Sequence, residues 1–408
     1  MNLININSEF DKLNDVILHN PGPEIERMTP ENIEKALYSD ILSLDIANKE
    51  YSFFKSVLSK VSNTYEINNL LKDILEDSVI KNNLVSVILD FEKINIKKEF
   101  LLEKNAFDLA KILIEGLEDT NYNNVLYDRY IIKPLYNFYF TRDASISINN
   151  SVLIGNMANF IRQREAIIMD FIFKNHNLFK AKTYNSIFDN NFADANIEGG
   201  DILIADKNIL LIGNGLRTSK KGIDFIINSF KNDTEKRHFI IQELPHSPES
   251  FIHLDMVFTL LDKDRCMIYE PVILNKGFDV THIITENGKV IKTFKEDNLI
   301  TTLNNLGFNL DVVFCGGKNN NWSQQREQWH SGSNFFAFAP SKIIGYARNL
   351  NTIDDLNKNG FEVITAIDFI NNKKHPNDYK RAVITIESSE LVRGGGGARC
   401  MTMPVNRG

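Results

Sequence analysis

DILIADKNILLIG, residues 201–213, decides the fold class. Two apolar β-branched runs flank Asp206-Lys207-Asn208, a polar turn, and an amphipathic helix is predicted next, around Lys220 to Phe230. Strand, strand, helix is therefore the unit. It recurs outward in both directions. VLIG at 152–155 precedes a predicted helix around Arg164 to Phe173. HLDMVFTLL at 253–261 and CMIYEPVI at 266–273 read as a strand pair around Asp262-Lys263-Asp264. DVVFCGG at 311–317, IIGYAR at 343–348 and AVITIE at 382–387 supply later strands. The recurrence predicts a modular α/β fold.

One block breaks the rhythm. From residue 66 to about 120, Ile67, Leu70, Leu71, Ile74 and Leu75 fall at helical spacing, as do Leu102, Ala106, Leu109, Leu113 and Leu117. This predicts a helical bundle inserted at 66–124, with the α/β domain built from 1–65 and 125–408. The 408 residues are 43% hydrophobic and 24% charged, enough to bury a large core without disulfide staples. A net charge of -7 argues against a protein built to bind phosphate backbones. No apolar run reaches membrane-spanning length, and MNLININSEF lacks the basic and apolar regions of a secretory signal. The three cysteines, Cys266, Cys315 and Cys400, show neither a disulfide framework nor paired zinc-ligand spacing. The expectation is a cytoplasmic protein without nucleic-acid or membrane partners.

Candidate chemistry starts at RGGGGARCMTMP, 393–404, which places Cys400 just beyond four glycines. Such a loop reads either as a flexible tail or as a backbone that approaches a ligand closely. Cys266 and Cys315 lie in apolar strands and read as inert buried thiols. A thiol nucleophile needs a proton-transfer partner. His253 stands two residues from Asp255, on one face if HLD is extended. Glu198 precedes two glycines and a strand, and Asp143 in FTRDASISI lies just before VLIG. One thiol, one imidazole and three carboxylates suit a cationic electrophile: carboxylates grip a guanidinium while the thiolate attacks its central carbon. A papain-like peptidase would instead need an oxyanion hole, not a ring of negative charge.

FTRD (140–143), EGGD (198–201), FIHLD (251–255), REQW (326–329) and GGARCM (396–401), in that order, resemble the arginine deiminases, from LHNPGPEIERMTPEN at 18–32 to the cysteine loop. The resemblance implies hydrolysis of L-arginine to L-citrulline and ammonia without metal or organic cofactor. It implies a five-bladed pseudo-symmetric α/β propeller with a helical-bundle insertion, assembled as a homo-oligomer, dimer or higher. By the same resemblance Cys400 is the nucleophile, Asp143 and Asp255 clamp the guanidinium, His253 shuttles protons and Glu198 orients it. Arg162 and Arg217 would grip the α-carboxylate, with Asn137 and Leu37 nearby.

The chain departs from the family pattern in places. Many relatives carry RGRGGPRC in the cysteine loop, where this chain has Gly395 and Ala398 in place of Arg and Pro. Ala144 replaces the usual Pro after FTRD, and His330-Ser331 follows REQW where acidic residues are common. No proposed chemical group is removed. The departures leave a catalytically impaired arginine-binding protein as an alternative. Another guanidine-modifying enzyme, such as an agmatine deiminase, a dimethylarginine hydrolase or an amidinotransferase, is a second one.

Overall fold

The computed structural model describes residues 3–119, 130–318 and 320–408. The predicted end of the helical insertion at 124 and the restart of the α/β domain at 125 lie outside the described residues.

Ile202–Asp206 pairs antiparallel with Ile209–Asn214 across the predicted turn. The chain then crosses through the helix Lys220–Ser229, whose Ser219 cap accepts the Gly222 N–H, and returns as Arg237–Glu243, parallel to Ile209–Asn214. The apolar runs ILIA and ILLI are buried at every position, as expected of strands covered on both faces.

Among the described residues the same pairing, antiparallel and then parallel, occurs five times. Ser145–Ile148, Ser151–Ile154 and Lys182–Tyr184 form one sheet. Phe258–Asp262, Arg265–Ile268 and Asp311–Phe314 form another. Phe336–Ala339, Lys342–Tyr346 and Arg381–Ile386 form a third, extended by Phe361–Thr365. In the last, Met403–Arg407 runs antiparallel to Leu13–Leu18, which pairs in parallel with Asn63–Glu66. The two ends of the chain thus share one sheet. The sheet containing Ile202–Asp206 carries an extra hairpin, Val280–Glu286 with Lys289–Glu296.

Two strand predictions are corrected. The strand of HLDMVFTLL begins only at Phe258, because Leu254–Met256 is a 3-10 turn capped by His253. CMIYEPVI is strand only through Ile268, and Glu270–Ile273 is a short helix with Pro271 in its first turn. Helices Ile67–Leu75, Ser78–Glu92, Lys98–Leu102 and Ala106–Glu115 occupy the block predicted as helical. Their apolar faces pack on the helix Gln163–Asn175 in one core cluster. None of the described helices is long and apolar enough to cross a membrane.

Candidate active site

Each of the five sheets is entered by a short turn just ahead of its first strand, and these turns carry the chemistry. Asp143 lies on the turn Thr141–Ala144 before Ser145. Glu198 caps the 3-10 turn Gly199–Asp201 before Ile202. His253 and Asp255 precede Phe258. Asn334 lies two residues before Phe336, and Cys400 three before Met403. Residues distant in sequence meet because equivalent ends of successive sheets face one cavity, of about 820 Å³. Cys400, His253, Asp143, Arg162, Arg217, Asn137 and Leu37 line it. Glu198 and Asp255 stand directly behind, with no exposed surface.

His253 donates from Nε2 to Glu198 Oε2 at 2.9 Å. Its other ring nitrogen, Nδ1, lies 3.7 Å from Asp143 Oδ1. Gly200 permits this placement, since a Cβ there would sit 2.5 Å from His253 Nδ1. Burial alone would lower the imidazole's proton affinity. Asp143, the hydrogen bond to Glu198 and the nearby Asp201 overcome it and push the pKa up to about 9. His253 is therefore an imidazolium at neutral pH. Burial opposes ionisation of Glu198 too, yet Arg217, His253 and Arg162 hold its carboxyl well below the usual carboxylate range.

The Cys400 sulfur lies 3.8 Å from Asp255 Oδ2. Burial, with Asp255 and Asp143 adding negative charge, pushes the thiol pKa well above its ordinary value. The site thus holds a neutral thiol beside two acidic side chains. Asp143 Oδ1, Asp255 Oδ1 and His253 Nδ1 are buried without a hydrogen-bond partner among the described residues. The two carboxylate oxygens are unpaired acceptors, costly unless a ligand supplies donors, and the protonated Nδ1 is an unpaired donor. Cys266 and Cys315 are buried free thiols, and burial pushes Cys315 up to about 12.

The residues predicted to bind the amino-acid end divide into two kinds. Arg217 keeps some exposure in the cavity wall, and its Nη1 donates to Glu198 Oε1 at 3.4 Å. Arg162 is buried among carboxylates: Nη1 donates to Asp143 Oδ2 at 2.8 Å and Nη2 to Glu165 Oε2 at 2.9 Å. Asn137 donates to the Ala36 carbonyl at 2.7 Å and accepts at its own carbonyl from Arg162 Nη2 at 3.4 Å. Leu37 adopts φ +67°, turning its backbone at the cavity wall.

Several neighbours of these residues were assigned no role from the sequence. Asn334 Oδ1 accepts both the Arg399 N–H at 2.9 Å and the Cys400 N–H at 3.2 Å, while its Nδ2 donates to the Asp255 carbonyl at 3.2 Å. One amide thereby fixes the nucleophile relative to a carboxylate. Glu165 braces Arg162, and burial pushes its pKa up to about 7. Asp201 accepts the Leu254 N–H at 2.9 Å, which pins the turn carrying His253 and Asp255, and burial pushes it up to about 7 as well. Spacing could have flagged only Asp201, as the last residue of EGGD. One donor atom from each of Asp143, Glu198 and His253 falls within 4.8 Å of the others, close enough to surround a cation. Arg162 Nη1 already occupies that role, 2.8 Å from Asp143 and 4.0 Å from Glu198.

The glycine loop is held rather than loose. The Tyr346 hydroxyl donates to the Gly396 carbonyl at 2.9 Å, and a Cβ at Gly396 would run into the Phe140 ring. At the cavity rim Arg393 pairs with Asp40 and Glu390.

Comparison with known proteins shows the family to which the chain belongs. The family model described as arginine deiminase matches residues 34–407. The chain is 32% identical to the arginine deiminase of Borrelia garinii subsp. bavariensis, covering 100% of this chain and 98% of that one. It is 33% identical to the arginine deiminase of Mycoplasma capricolum subsp. capricolum, covering 99% and 97%. An amidinotransferase from Microseira wollei shares its α/β fold, with a TM-score of 0.57 at 14% identity over 99% of this chain and 97% of the other. With five entry turns meeting at one cysteine, and a family match running from residue 34 to the last strand, the chain belongs to the arginine deiminase family.

Proposed function

We propose that the protein hydrolyses L-arginine to L-citrulline and ammonia through a covalent thiouronium on Cys400. The observation that carries the reading is the pair of buried, unpartnered oxygens, Asp143 Oδ1 and Asp255 Oδ1, on the two carboxylates whose charge acts on the Cys400 thiol. A guanidinium offers the N–H donors and the positive charge that both oxygens lack. Its charge also lowers the thiol pKa, so the thiol proton departs to solvent when substrate binds.

The thiolate then adds to the guanidinium carbon, forming a C–S bond and a neutral tetrahedral adduct. The His253 imidazolium gives its proton to one amino group, the C–N bond breaks and ammonia leaves. The cationic thiouronium remains. Neutral His253 next takes a proton from water, and the hydroxide adds to the same carbon. Collapse breaks the C–S bond and restores the thiolate and imidazolium. Protonated citrulline loses its proton to ammonia or solvent. No metal or organic cofactor enters any step.

In this reading Glu198 orients His253 and favours its protonated form. Arg217, partly exposed in the wall, takes the α-carboxylate, with Arg162, Asn137 and Leu37 around it. Arg162 must loosen its hold on Glu165 or Asp143 to contribute directly. We also read the five sheets as a closed five-bladed propeller, which the shared sheet of the two chain ends supports. The helices in 66–124 are then an insertion in a domain made of 1–65 and 125–408. A cytoplasmic homo-oligomer, dimer or higher, completes the proposal, and light scattering in solution tests the assembly.

The enzymatic test is incubation with L-arginine, measuring citrulline and ammonia, with Cys400→Ala alongside. Equimolar products from the wild type and none from the variant are expected. Arginine binding without citrulline would instead establish the impaired binding protein, whereas faster turnover of agmatine would overturn the carboxylate-gripping role of Arg217.

A further inference from the structure

Asp255 is a fully buried carboxylate, and the cation set against it precedes the nucleophile in the chain. Arg399 Nη1 donates to Asp255 Oδ2 at 2.8 Å. The same guanidinium donates through Nε and Nη2 to the two oxygens of Glu9, each at 3.0 Å, and through Nη2 to the Ile202 carbonyl at 2.8 Å. Glu9 is itself fixed, since its Oε1 accepts the Ile204 N–H at 3.2 Å and its N–H donates to the Ile204 carbonyl. The result is an alternating row, Glu9, Arg399, Asp255, drawn from the amino-terminal segment, the cysteine loop and the turn of a third sheet.

We propose that the Glu9–Arg399 pair is a positioning device for the reaction. It sets a fixed positive charge against Asp255 and occupies Oδ2, so that Oδ1 remains for the substrate guanidinium. The inference rests on the reaction proposed above and assigns roles to two residues outside the family motifs' chemical set. The need for it follows from charge. Two carboxylates flanking one thiol in a water-poor site repel, and without a fixed cation one of them would take a proton and lose its grip on a cationic substrate. A lone Arg would neutralise the site and compete with the substrate. Glu9 offsets that charge, leaving the row net negative, and the fork geometry of Arg399 reaches both partners at once.

The charged groups around Asp255 are few. Arg399 touches it, the Cys400 thiol lies beside it, Arg142 acts at longer range, and His253 sits two residues earlier. On the far side, Arg407 and Arg142 face Glu9, and Arg399 holds its carboxyl at about 2 against the cost of burial.

The test is the pH dependence of kcat/KM for arginine in three variants. Arg399→Met is expected to move the acid limb up by about one to three pH units, the size of effect an adjacent opposite charge exerts on a carboxylate. Arg399→Lys keeps the charge and should return the limb most of the way. Glu9→Gln/Arg399→Met removes the buried pair as a unit, which folds tolerate better than a single orphaned charge. That double variant orphans one carboxylate, Asp255, instead of two, so it should melt above Arg399→Met yet keep the raised limb. A purely structural role predicts the same recovery of stability but with a wild-type limb, and this result would overturn the proposal. Should neither Met variant fold, Glu9→Gln alone decides. A rise in KM of at least about tenfold, from an Arg399 no longer offset, is expected, and an unchanged KM would refute the device. Wild-type protein that forms no citrulline would instead count against the reaction itself, independently of the limb.

Discussion

Glu198→Gln separates the electrostatic role of this carboxylate from its structural one. Gln keeps the shape and can still accept from His253 Nε2, but it removes the negative charge 2.9 Å from the imidazole. His253 stands at about 9 because Asp143, Glu198 and Asp201 outweigh burial. With Asp143 and Asp201 still present, loss of one adjacent charge should lower it by about 1.5 pH units, within the range for a neighbouring opposite charge. The imidazolium is the acid that releases ammonia, so activity is lost as pH rises through this pKa. The wild-type basic limb is expected near pH 9, and the variant's near about 7.5. At about pH 8.5 the protonated fraction, and with it the rate, should fall roughly eightfold beyond any change in the plateau. The same pairing contributes to folding. With a folded pKa above the unfolded value of about 6.5, its stabilisation is complete below that pH and is lost as pH rises toward about 9. The assay is kcat/KM for citrulline formation across the alkaline range, which reports the groups of the free enzyme, with unfolding followed in parallel. A plateau that drops while the limb stays at the wild-type pH would mean that Glu198 only holds the ring in place.

Other consequences follow from the same geometry. Thiolate absorbance, measured as the difference between wild type and Cys400→Ser, should be absent at neutral pH in the free protein because burial, Asp255 and Asp143 hold the proton on sulfur. A thiolate signal at pH 7 without added arginine would contradict that electrostatic picture. Gly200→Ala places a methyl 2.5 Å from His253 Nδ1, and displacement of the ring by even a fraction of an ångström should cost about a hundredfold in kcat while the protein remains folded. Wild-type turnover from this variant would show that the ring position is not critical. Arg217→Ala should raise KM for arginine by roughly ten- to a hundredfold, the worth of a charge-assisted hydrogen bond, and leave agmatine turnover much less affected. Equal losses on both substrates would remove Arg217 from the carboxylate site.

The alternation that built the fold was readable because it is local. The hairpin at 201–213 needs only its own apolar runs and turn, and the buried strands at Ile202–Asp206 and Ile209–Asn214 follow from it. The stretch from His253 to Val257 misled for a physical reason. Its apolar residues signal burial, but the backbone is drawn into a 3-10 turn by Asp201, which accepts the Leu254 N–H, and by Asn334, which holds the Asp255 carbonyl. The expectation that His253 and Asp255 share a strand face therefore fails, although both residues reach the same site. Arg399 and Asn334 were invisible for a related reason. The partner of Arg399 lies 390 residues away at Glu9, and no periodicity or spacing reports a contact of that range. The motifs named the groups that would touch substrate, and the groups that set their charge states came only with the tertiary structure.

Why the chemistry sits on entry turns rather than on the strands follows from the same physics. A strand buried on both faces, such as ILIA in 202–205, cannot carry a charged side chain without leaving it unpaired in the core. The turn ahead of each strand can, because its backbone groups are free to be satisfied by neighbouring turns. The Arg142 N–H donates to the Cys400 carbonyl, and the Asn334 amide links two further turns. Each turn thus needs the others to complete its hydrogen bonding. Displacing one should disturb charge states at its neighbours before it disturbs the strands behind them. This is also how the site can tolerate Gly395 and Ala398 in the cysteine loop. The loop's position is fixed by Asn334, Arg399 and Tyr346, whose contacts do not involve the side chains at those two positions.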